Sequence, residues 1–165
     1  MLLSLLFFSS LSATAHANSP LSAETRFDRL VVLKKERTLK AYSQGKLVRT
    51  YKIALGFTPV GAKEFEGDGK TPEGVYFVDA KNPHSTYYKN LGVSYPDKQD
   101  TQRANAVGKS PGGLIKIHGL GPRHRHLGTN HWKHNWTEGC VAVTDEEIDE
   151  LYIHTNMNAK IEIYP

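Results

Sequence analysis

The chain holds one cysteine, Cys140, in the stretch "HNWTEGCVAV" from His134 to Val143. A lone thiol in an oxidising compartment has no partner to pair with, so it is either inert and buried or kept free to react. To act as a nucleophile near neutral pH it needs a base. His118 is the candidate, because it ends the apolar run "LIKIH" while Cys140 opens "CVAV", and adjacent strand ends would bring the two side chains within hydrogen-bonding reach. A neighbouring imidazole is expected to draw the thiol from about 8.5 to about 7, which costs only about 2 kcal/mol. Gly119 and Gly139 flank the pair. Their missing side chains let a substrate backbone approach, and the amides around Gly139 and Cys140 could face a developing oxyanion.

Those residues must be carried by a fold. A length of 165 residues with 39% hydrophobic and 23% charged side chains fits one soluble domain with a real core. From Arg29, "LVVL", Leu39 with Ala41, and Val48 to Leu55 are separated by polar turns and predict an antiparallel three-strand meander. Further strands are expected in Gly74–Ala80, Gly113–Gly119, "GCVAV" and the terminal "AKIEIYP". One helix is well signalled near the C-terminus. Thr144 caps it, Glu147 is the reciprocal partner, Ile148, Leu151 and Tyr152 share a face, and the end is expected near Asn156. The fold class is therefore mainly β, a sandwich or partly closed barrel. Gly56–Gly74 and Gly119–Gly139 read as long loops, of the kind that are usually functional in compact domains.

The first 17 residues run apolar from Leu2 to Phe8 and end in Ala15-His16-Ala17, the small-x-small pattern of an export signal. Residues 1–17 are thus expected to be a signal peptide, 18–28 a linker and 29–165 the catalytic domain. The apolar run is too short to span a bilayer. An exported, periplasmic protein with no stable membrane span after cleavage follows. The net charge of +4 suits an anionic polymer, but the basic residues form no stripe, which argues against nucleic acid.

"IHG" followed after a loop by "TEGC", together with "GDGKTPEGVYFV" upstream, resembles the ordered motif set of the L,D-transpeptidase catalytic domain, the YkuD family. The resemblance extends from about Arg29 to the end of the chain. It implies a murein enzyme whose cysteine, here Cys140, attacks the carbonyl of diaminopimelate beside a terminal D-alanine. His118 would act as base and then acid, oriented by a backbone carbonyl such as that of Gly119. Peptidoglycan stem peptides would be the substrate, a monomer the expected state, and no metal or cofactor would be needed. Thr137, Glu138, Arg103 and Trp132 are the expected substrate contacts. For Arg103 a two-pronged bond to a carboxylate competes with an ion pair to Asp97 or Asp100. Two departures stand out: Glu138 replaces a histidine common in relatives, and Ala142 replaces an arginine or asparagine. The "TEGCVAVT" pattern is nearest to a subgroup that includes murein hydrolases, so hydrolysis of the same bond is the runner-up.

Two other classes compete. His124, His126, His131 and His134 near Cys140 could serve a zinc hydrolase, although no fixed ligand scaffold accompanies them. Tyr87, Tyr88, Tyr95 and Trp132 could form a non-catalytic wall-binding platform, although scattered aromatics more often pack. The histidine-rich loop is also a candidate substrate lid, and Asp68 a turn residue bonding nearby backbone.

Overall fold

A computed structural model describes residues 19–165; the expected signal peptide lies outside them. Eight strands form one curled, half-barrel sheet in the order β3-β2-β1-β8-β4-β5-β6-β7. The mainly β expectation holds in its partly closed barrel form. The first meander is β1 (Phe27–Leu33), β2 (Thr38–Ser43) and β3 (Lys46–Lys52). Its pairing is antiparallel throughout, with Val32 opposite Leu39 and Leu39 opposite Tyr51. Phe27 is fully buried, so the core begins just ahead of Arg29, inside the stretch expected to be linker.

The last strand, β8 (Thr155–Tyr164), inserts between β1, to which it is parallel, and β4 (Gly74–Ser85), to which it is antiparallel. From β4 the sheet continues through β5 (Tyr88–Val93) and β6 (Lys116–His118) to β7 (Val141–Ala142). β6 is much shorter than the expected Gly113–Gly119, because Leu114 has φ of 59° and is 81% exposed. The core gathers Phe27, Leu30, Tyr76, Ile117, Val141 and Ile161.

Three α-helices occur among the described residues. The signalled one, α3 (Asp145–His154), carries the expected Thr144/Glu147 capping box and buries Ile148 and Leu151. It stops at His154, because β8 starts at once. Helix α1 (Lys98–Ala106) has no counterpart among the sequence expectations; Asp97 and Asp100 cap it reciprocally. The expected loop 119–139 is largely helical, with α2 (Gly121–His124) opened by Pro122, followed by a 3₁₀ segment over Arg125–Lys133. Gly56–Gly74 is irregular up to the start of β4 except for one bridge, from Gly56 to Thr137. It is held by Asp68, which accepts from the N–H groups of Glu64, Phe65 and Lys70 and pairs with the buried Lys63 at 2.8 Å. Burial alone would raise the Asp68 carboxyl; Lys63 and the three N–H groups outweigh it and leave it below the ordinary range.

Candidate active site

The parallel pair β6–β7 sets the site. Ile117 stands opposite Val141, and His118 opposite Ala142. Ile117 and Val141 point into the core, and strand alternation therefore turns His118 and Ala142 to the other face. His118 closes β6 and Cys140 immediately precedes β7.

His118 is 3% exposed. Its Nδ1 lies 2.7 Å from the Gly119 carbonyl. A carbonyl only accepts, so Nδ1 carries the hydrogen and the lone pair sits on Nε2, the tautomer a general base requires. Tyr87 stacks on the ring at a centroid distance of 4.4 Å, and Trp136 meets it edge-on at 5.6 Å. Burial lowers His118 to about 4, against the smaller opposing pull of the Gly119 carbonyl. The imidazole is thus neutral at neutral pH.

Cys140 is free and half-buried. It opens into a cavity of about 340 Å³ that Phe57, Lys63, Glu66, Leu114 and Glu138 also line. Its Sγ donates to the Leu114 carbonyl at 3.7 Å. Burial raises the thiol above its ordinary value; the Lys116 backbone N–H opposes this and Glu138 adds to it. The expected lowering of the thiol is therefore absent: desolvation outweighs the neighbouring groups, and the resting pair is thiol and neutral imidazole rather than an ion pair.

The turn before Cys140 is held by Thr137. Its hydroxyl donates to the Cys140 carbonyl at 2.7 Å and accepts from Gly139 N–H at 3.2 Å. Thr137 is 5% exposed and faces this turn rather than the cavity. Gly139 has φ of 134°, and a Cβ there would lie 2.6 Å from the Lys70 carbonyl, so only glycine fits. Its N–H is engaged by Thr137, which leaves Cys140 N–H, without an acceptor among the described residues, as the open donor beside the sulfur. Gly119 is equally constrained, since a Cβ at that position would fall 2.6 Å from Asp145 Oδ1.

The remaining expected contacts divide. Glu138 is exposed and lines the cavity. Arg103 pairs with Asp100 at the end of α1, the ion pair weighed against a substrate role, and does not line the cavity. Trp132 sits in the 3₁₀ segment with Lys52 Nζ 5.3 Å from its ring, away from Cys140's cavity lining. His124 stacks on Trp136 at 4.1 Å, and His131 is 1% exposed. The histidine-rich segment is thus partly scaffold. Among the described residues no group of three or more His, Cys, Asp or Glu side chains is gathered to hold a metal. Tyr95 is buried with its hydroxyl on the Pro111 carbonyl, so the four aromatics form no common platform. Sequence reasoning missed the Leu114 carbonyl and the stacking of Tyr87 on His118, which arise only through tertiary pairing. It also gave Asp145 no role at the site.

The fold defines a class. The chain belongs to the L,D-transpeptidase catalytic domain (YkuD) family, which matches residues 28–163. The Escherichia coli K12 protein YafK, which carries a provisional L,D-transpeptidase name, is 28% identical over 177 residues, covering 96% of this chain and 64% of that protein. The helical cell shape determining protein Pgp2 of Campylobacter jejuni is 25% identical, with a TM-score of 0.60 over 85% of this chain and 48% of its own. An L,D-transpeptidase from Mycobacterium smegmatis, 14% identical with a TM-score of 0.55 over 82% of this chain and 58% of its own, shares the fold. The chain therefore spans less than two thirds of these relatives' lengths.

Proposed function

We propose that the protein is an exported murein L,D-transpeptidase in which Cys140 is the nucleophile and His118 the general base and acid. The observation that supports this reading is the pairing of β6, which ends at His118, with β7, which begins just after Cys140, together with the cavity onto which Cys140 opens. Substrate binding turns Sγ away from the Leu114 carbonyl, and His118 Nε2 takes its proton as sulfur attacks the diaminopimelate carbonyl. The tetrahedral oxyanion is held by Cys140 N–H. As the C–N bond breaks, the imidazolium returns its proton to the D-alanine amine, leaving a thioacyl-enzyme. An amine from a second stem peptide then attacks, His118 takes its proton, and the thiol is restored. The Gly119 carbonyl fills the orienting place that a carboxylate holds in serine triads. Wall remodelling of this kind would serve cell shape, the property for which Pgp2 is named, and would place the protein in the periplasm, acting as a monomer on peptidoglycan stem peptides.

Hydrolysis by water at the same thioester is the second reading, favoured by the absence of a cation at Ala142, whose side chain faces His118 in register. Incubation of residues 18–165 with disaccharide-tetrapeptide and mass analysis of the products distinguishes them. Crosslinked dimers are expected; tripeptide alone would replace transfer by hydrolysis. No product from the wild type, or the same product from Cys140→Ala, would overturn the reading.

A further inference from the structure

The turn between β6 and α2 is held by fixed main-chain partners, and one side chain supplies two of its bonds. The His118 carbonyl accepts from Val143 N–H at 2.9 Å, and Gly119 N–H donates to the Lys89 carbonyl at 3.2 Å. The next two N–H groups, of Leu120 and Gly121, both donate to Asp145 Oδ1, at 2.8 and 3.0 Å. The other oxygen, Oδ2, accepts from Arg125 Nε at 3.1 Å and Nη2 at 3.0 Å. Asp145 is 9% exposed. It opens α3 two residues after Val143, so one carboxylate ties the start of α3 to the turn that follows the histidine.

We propose that Asp145 is a positioning residue for His118, resting on the reading of His118 as the base. By fixing the Leu120 and Gly121 amides it sets the direction of the Gly119 carbonyl, and that carbonyl holds the hydrogen on Nδ1 and leaves Nε2 bare. The carboxylate acts one step removed from where a serine triad places its aspartate, through the peptide chain instead of directly on the ring. The absence of a Gly119 side chain belongs to the same device: a Cβ would strike Asp145 Oδ1 and push the carboxylate off the amides.

The test reads the His118 tautomer in the resting enzyme by ¹⁵N NMR of the imidazole, alongside kcat and KM for disaccharide-tetrapeptide. The wild type is expected to show the Nδ1–H form alone. Asp145→Ser places a residue suited to the first helical turn but with a hydroxyl too short to accept both amides. It is expected to show mixed tautomers, with kcat down at least about tenfold and KM within about threefold, since base orientation rather than binding is lost. Asp145→Asn keeps an acceptor oxygen and is expected to retain the Nδ1–H form, with kcat within about threefold of wild type. A folded Ser variant with an unchanged tautomer would overturn the proposal, as would an Asn variant as mixed as Ser. Should the Ser variant fail to fold, the Asn spectrum decides. The tautomer is read without turnover, so an inactive wild type would sink the proposed activity while leaving this result intact.

Discussion

Replacing Thr137 by valine removes a hydroxyl and keeps the shape. Two main-chain groups lose their partner: Gly139 N–H, in a buried turn closed over by Lys70, and the Cys140 carbonyl. An unsatisfied buried polar group costs about 1–3 kcal/mol. Cys140 is half-buried, so water can reach its carbonyl in part, and the total is about 2–4 kcal/mol. For a domain of this size each kcal/mol moves the melting temperature by about 2–4 °C, so a fall of about 4–16 °C is expected. Thermal unfolding of wild type, Thr137→Val and Thr137→Ser checks this, with serine holding close to wild type. Alkylation of the folded valine variant should differ in rate, because the turn that aims the sulfur has slackened. A valine variant that melts within about 1 °C of wild type yet binds stem peptide poorly would refute the reasoning and return Thr137 to the substrate-contact role that the family resemblance implies.

Acid should destabilise the fold through two buried imidazoles. His118 and His131 each sit at about 4, both lowered chiefly by burial, against an ordinary 6.5. Between those values the unfolded chain binds protons that the folded chain refuses, so stability falls as pH drops below 6.5; above it neither contributes. About 2 kcal/mol per histidine should be gone at pH 5, and a urea midpoint unchanged between pH 7 and pH 5 would contradict this. Lys63→Met leaves the Asp68 carboxylate buried without its cation and should cost about 3 kcal/mol at pH 7 in denaturant unfolding. Gly139→Ala forces a Cβ onto the Lys70 carbonyl and should lower stability by at least about 2 kcal/mol, measured the same way.

The parts of the fold legible in the sequence are those whose causes are local. The β1–β3 meander follows from alternation and turns, and α3 from a capping box written in consecutive residues. Helix α1 escapes because it buries only Asp100 and Ala104, too little for an apolar stripe, and its Asp97/Asp100 box lacks the usual Glu or Gln. Strand β5 escapes because "YKNLGV" has a burial pattern with no period of two, being covered on both sides. Pro122 just inside α2 is a start signal that the surrounding glycines and histidines obscure. At the site, the residue types and the ordered motifs point to Cys140 and His118. The state of the thiol is not legible, since it depends on desolvation by the Gly56–Gly74 and Gly112–Leu114 segments. The part played by Asp145 is hidden for the same reason, as its partners lie across two elements.

Strand β8 joins two halves of the sheet that otherwise meet only through the Ala54–Ala142 and Gly56–Thr137 bridges. Without β8 the β1 and β4 edges would lack their partner strand. Closing that gap demands contacts between the most distant parts of the sequence, which makes assembly slow and leaves an interval prone to edge-to-edge association. The sheet's central seam thus depends on β8, which draws the β1 and β4 edges together.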